Sequence, residues 1–155
     1  MTDYELLCGQ LNALGEEERH WLPLLSNASA LLFEALDEVN WAGFYLMEGG
    51  ELLLGPFQGK AACIHIPLGR GVCGTAAAQD LTQLVPDVHA FPGHIACDSA
   101  SASEIVVPLH ANGRVIGVLD IDSPRPARFT EHDRKGLETF ARTLEELADW
   151  KERRG

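Results

Sequence analysis

Basic residues are scarce in this chain. Lysine and arginine number 12 against 23 aspartates and glutamates, a formal charge of −11. Such a surface repels phosphate backbones and anionic headgroups, so nucleic acid and anionic membranes are not expected as partners. No apolar run reaches the length a bilayer-spanning helix needs. Met1 to Glu5 lack the basic-then-apolar order of a secretion signal, and a cytoplasmic location is expected by default. There is no CxxC pair, repeat, linker or low-complexity stretch. What is present is 155 residues, 46% of them apolar, enough for one domain over residues 1–155 with a real core. Four cysteines in a reducing compartment are expected to be free thiols at rest.

Periodicity supplies the elements. Tyr4, Leu7, Leu11 and Leu14 make the apolar stripe of a short first helix, and Cys8 beside it reads as a small buried hydrophobe. Residues 18–37 keep helical spacing, with Pro23 tolerable only in the first turn. Residues 40–47 alternate: Trp41, Gly43 and Tyr45 share one strand face, and Ala42, Phe44 and Leu46 the other. A turn at Gly49-Gly50 leads to a second strand from Glu51, and residues 63–67 read as a third. Gly69-Arg70-Gly71-Val72-Cys73-Gly74 opens a short helix through Ala78. Gly-rich turns before helices can cradle phosphates, but this one matches no nucleotide fingerprint. A thiol at such a helix start can have a lowered pKa. Residues 83–85 read as a brief strand. Residues 86–103 read as a loop too long for a mere connector, and it carries Cys97. Two strands flank Asn112-Gly113, and a last helix starts at Thr130 with Asp133 as its capping-box partner. Hairpins outnumber crossovers, which predicts an α+β fold: an antiparallel sheet with helices packed on one face.

The chemistry concentrates in thiols and acids. On the last strand Asp120 and Asp122 share a face, and the hairpin register decides whether Glu104 joins them. A two-residue turn at Asn112-Gly113 pairs Glu104 with Ile121 and points it away. A three-residue loop Ala111-Asn112-Gly113 pairs Glu104 with Asp120 and makes the three acids converge; this register is expected. Three close carboxylates cannot all ionise without a cation. A basic side chain, a ligand ammonium or a retained proton would resolve the conflict, and a retained proton makes a general acid. Trp41 and Tyr45 could wall such a pocket, although ordinary core also explains them. Thiols beside an acid cluster suggest redox chemistry in which a thiolate attacks and an acid protonates a leaving oxygen. A rival use of the thiols is zinc, through Cys63-x-His65 and His94-x-x-Cys97, although neither segment resembles a knuckle or ribbon.

Taken together, residues 40–46, 55–60, 69–76, 93–98, 103–106 and 116–123 resemble the free methionine-(R)-sulfoxide reductases, a GAF-domain family. The resemblance implies a six-stranded antiparallel sheet and reduction of free L-methionine (R)-S-oxide to L-methionine. It implies Cys97 as nucleophile, Cys63 as the main resolving thiol and Cys73 as a possible second. Glu104, Asp120 and Asp122 would hold the substrate ammonium and supply the proton, while Trp41 and Tyr45 would line the methyl-sulfoxide end. A Cys97 sulfenic acid would condense with Cys63 to a disulfide that thioredoxin reduces. A homodimer without cofactor or resident metal is implied as well. A small-ligand GAF sensor and a redox sensor without turnover are the competing expectations.

Overall fold

The computed structural model describes residues 1–94 and 100–150. The strand β1 (Trp41–Glu48) is the axis of the fold, and its alternation decides what packs where. Ala42, Phe44 and Leu46 face one core and Trp41 and Tyr45 face another, all of them buried. Buried backbone N–H and C=O groups on both edges of such a strand need partner strands. These are β2 (Glu51–Gly59) and β6 (Arg114–Ser123), each antiparallel to β1. Beyond them lie β3 (His65–Pro67), paired with β2, and β5 (Ser103–Ala111), which carries β4 (Gln83–Val85) on its outer edge. The result is one antiparallel six-stranded sheet in the order β3-β2-β1-β6-β5-β4.

The helices α1 (Tyr4–Glu17), α2 (Trp21–Ala35) and α4 (Glu131–Leu147) cover one face with their leucine and phenylalanine stripes. Helices on one face therefore describes the three long ones. The short α3 (Gly71–Gln79) lies against the opposite face, where Val72, Cys73, Ala76 and Ala77 pack with Trp41, Tyr45, Val106 and Val118. Pro23 falls in the first turn of α2, whose start is capped by His20: Leu22 N–H donates to its Nδ1 at 3.1 Å. The capping box of α4 forms as expected between Thr130 and Asp133.

The β5–β6 hairpin corrects the expected register. The turn has two residues, not three: Ala111 pairs with Arg114, and Asn112 and Gly113 take φ of 54° and 74°. Two positive φ values are the mark of a type I′ turn, which Asn-Gly adopts at little cost. A bulge follows at once. His110 faces Val115 but Leu109 faces Gly117, so Ile116 is the extra residue. That shift pairs Glu104 with Asp122, and Asp120 falls opposite Val106. Because side chains alternate, this register and the expected one put Glu104 on the same face as both aspartates.

Candidate active site

The face of the sheet covered by α3 leaves a cleft of about 550 Å³, its open mouth included. Trp41 and Tyr45 from β1, Glu104 from β5, Asp120 and Asp122 from β6, and Cys73 from α3 all line it. The structure thus brings together six of the eight site residues expected from sequence. The other two are Cys63 and Cys97. Cys97 lies outside the described residues.

Glu104 and Asp120 are buried and Asp122 half-buried, and among the described residues Arg70 and His94 are the basic groups that line the cleft with them. Glu104 is 8% exposed and Asp120 5%. Burial pushes the Glu104 carboxyl well above the usual carboxylate range, and the charges of Asp120 and Asp122 push it further. Burial also raises Asp120, against hydrogen bonding with Glu104, Cys73 and Asp122 that holds it back. Oδ1 of Asp120 is buried and finds no hydrogen-bond partner among the described residues. Such an orphan acceptor is costly unless a ligand meets it.

Cys73 sits inside this cluster, its Sγ 3.9 Å from Oε2 of Glu104. The expected lowering of its pKa by the start of α3 is not what the structure gives. Burial raises the thiol well above its usual range, and Asp120, Glu104 and Asp122 raise it further. Three carboxylates outweigh one short helix. Cys8 is a free thiol packed among α1 and its neighbours, also raised by burial.

The aromatic wall is held by ring stacking and hydrogen bonds. Trp41 lies between Tyr45 and Phe57, with ring centroids at 5.8 and 5.1 Å and planes within 23° and 15°. Its indole N–H donates to the Lys60 carbonyl at 3.1 Å. Gly59 makes room for that ring: a Cβ there would lie 2.6 Å from Trp41 Cδ1, and its φ of 135° suits glycine alone. Tyr45 donates its hydroxyl to the Cys63 carbonyl at 2.9 Å, which ties the wall to Cys63. Cys63 precedes β3 rather than lying within it, and it is disulfide-bonded. A disulfide sulfur is no zinc thiolate, and His65 turns its Nδ1 to Glu51 at 2.6 Å. The four-ligand zinc set considered from sequence is therefore not assembled among the described residues.

Sequence reasoning gave no site role in this cleft to three polar lining residues, Arg70, His94 and Ser101. Ser101 accepts from Asn40 Nδ2 at 3.3 Å, and burial lowers the His94 pKa. Arg70 was in view inside the Gly-rich segment, and a cation beside a turn that opens a pocket was the available signal.

A curled antiparallel sheet with helices on one face and a ligand cleft on the other is the architecture of a GAF domain, and the GAF family model matches residues 22–146. The chain is 58% identical to protein YtsP of Bacillus subtilis over 145 residues, covering 92% of this chain and 89% of that one. It is 55% identical over 144 residues to the free methionine-R-sulfoxide reductase of Escherichia coli, covering 93% and 87%. The solved reduced form of fRMsr from Staphylococcus aureus superposes with a TM-score of 0.93 at 53% identity, covering 96% and 97%. The chain belongs to the free methionine-R-sulfoxide reductases, oxidoreductases within the GAF family.

Proposed function

We propose that this chain reduces free methionine (R)-sulfoxide to methionine with Cys97 as nucleophile, Cys63 as resolving thiol and thioredoxin as reductant. The observation that carries the reading is the set of buried Glu104 and Asp120 with half-buried Asp122, facing a stacked aromatic wall. The substrate's α-ammonium offers a cation to these clustered acids, and Arg70 suits its carboxylate. Trp41 and Tyr45 offer flat faces to the methyl and sulfur. A peptide-bound sulfoxide carries a neutral amide in place of the ammonium, and it leaves a buried carboxylate unpaired.

A sulfoxide oxygen leaves only when protonated, and the acid cluster holds the proton. Burial and the neighbouring aspartates push the Glu104 carboxyl up, which favours its protonated form as the donor. The Cys97 thiolate attacks the sulfoxide sulfur, the protonated oxygen passes from that sulfur to the Cys97 sulfur as the new S–S bond opens, and methionine departs with the electron pair, which leaves Cys97 as a sulfenic acid. The Cys63 thiol displaces that oxygen as water and closes a disulfide, which a dithiol opens by exchange. The observed state of Cys63 supports this step. It is disulfide-bonded, while Cys8 and Cys73 are free. A homodimer and a cytoplasmic setting complete the reading, the former checked by light scattering in solution.

The decisive experiment supplies reduced protein and dithiothreitol with free methionine R-sulfoxide, the S-epimer and a peptide-bound sulfoxide in parallel. Methionine from the free R-epimer alone is expected, and no release from any of the three overturns the reading. Cys97→Ser is expected to abolish turnover. Cys63→Ser is expected to slow thioredoxin-driven cycling far more than the first turnover; equal loss in both assays contradicts a resolving role.

A further inference from the structure

Cys73 is left with little to do in that sequence of steps, yet its position is specific. Its Sγ, a Glu104 oxygen and an Asp120 oxygen all lie within 4.8 Å of one another, and all three residues are buried. Oδ1 of Asp120 has no hydrogen-bond partner among the described residues. We propose that Cys73, Glu104 and Asp120 form a binding site for a soft divalent cation of the zinc type, which occupies the pocket in competition with the substrate ammonium.

The geometry suits this. Zn–S and Zn–O bonds of about 2.3 and 2.1 Å, set at tetrahedral angles, hold sulfur and oxygen about 3.6 Å apart. The observed Cys73–Glu104 separation of 3.9 Å needs only a few tenths of an ångström of adjustment. The donor set selects the metal. Calcium and magnesium take oxygen ligands alone, and magnesium keeps several waters, whereas one thiolate with two carboxylates favours zinc. Three protein ligands leave a fourth position to water or to Asp122, which stands opposite Glu104 across the strand pair. Charge works the same way. The three acids and the thiol repel one another as anions, and a bound dication replaces their protons and removes that repulsion. The site is distinct in ligands from the Cys63, His65, His94 and Cys97 set.

The test uses oxidised protein, in which Cys63 is held in its disulfide and cannot contribute a thiolate. Cobalt(II) serves as the spectroscopic probe and zinc(II) as the calorimetric one. One cation per chain is expected, with a thiolate-to-cobalt charge-transfer band that survives Cys8→Ser and disappears in Cys73→Ser. Asp120→Asn, which keeps the side-chain shape, is expected to weaken zinc binding roughly tenfold or more. A cobalt complex without the thiolate band, a band that survives Cys73→Ser, or no binding by folded protein overturns the proposal. Added methionine is expected to lower the apparent zinc affinity beyond what its own chelation of the metal in solution accounts for. Methionine without any effect beyond chelation, while the Cys73 band persists, overturns both the competition and the ammonium reading of the acids and leaves only the metal site standing.

Discussion

The two faces of the central strands are built from alternate residues of the same segments and do opposite work. On the face toward α1, α2 and α4, strands β1, β5 and β6 present Ala42, Phe44, Leu46, Ile105, Val107, Leu109, Leu119 and Ile121, apolar throughout. On the face toward α3 the same strands present Trp41, Tyr45, Val106 and Val118, then Glu104, Asp120 and Asp122. One face accumulates burial energy and the other carries buried acids that cost free energy whenever they ionise. A side-chain period of two places these roles on neighbouring residues without mixing them. The helix-covered face therefore supplies the stability that the pocket face consumes.

Glu104→Gln is expected to separate the two faces most widely. Losing a positioned proton donor costs activity about 10²- to 10⁴-fold. Stability is expected to move the other way. A carboxyl whose folded-state pKa is raised loses stability for the fold as pH climbs from the unfolded value through the folded one. The glutamine variant escapes that loss, so its melting temperature should match or exceed the parent's at pH 8, with the advantage fading toward pH 4. A glutamine variant that melts lower than the parent at every pH would mean that Glu104 is a structural residue. Across the sheet, Phe140→Ala empties a fully buried site in α4 and is expected to cost about 3–5 kcal/mol in denaturant unfolding. Activity per folded molecule should barely change. A large drop in that specific activity would show the faces to be coupled.

The contrast between the faces was legible in the sequence wherever alternation was strict. The split of Trp41 and Tyr45 from Ala42, Phe44 and Leu46 could be read off directly, and so could the Thr130–Asp133 cap, because both are local. The bulge at Ile116 was not legible. It rests on packing between strands, and no turn residue announces it. The convergence of Glu104, Asp120 and Asp122 survived because the expected and observed registers differ by two residues, which preserves the face. The position of α3 was hidden for a different reason: its glycines and alanines carry no strong stripe, so nothing in its sequence says which face it covers. Arg70, His94 and Ser101 lie outside the strands, and the direction of their side chains is set by the packing around them.

The smallest expected effect falls on the stabilising side, where a charged group is also buried and yet is well matched. Asp133 is 4% exposed, as deeply placed as the pocket acids. Burial alone would raise its carboxyl. Hydrogen bonds from Tyr4, at 2.6 Å, and from Thr130, together with Arg128 at 3.3 Å, outweigh burial and hold it below the usual range. The sign of the pH dependence is therefore opposite to that of Glu104. Asp133 contributes stability above the unfolded carboxyl value, about 3.9, and loses it as pH falls through the folded one. Tyr4→Phe removes one buried bond between α1 and α4 and is expected to cost about 1 kcal/mol at pH 7. Asp133→Asn, which disturbs the cap as well, is expected to cost about 1–3 kcal/mol. Urea unfolding at pH 7 and pH 3 distinguishes the outcomes. The gap between the asparagine variant and the parent should shrink in acid, because the parent then protonates Asp133 too. A gap that stays constant would mean that the cap geometry, not the carboxylate charge, holds α1 to α4.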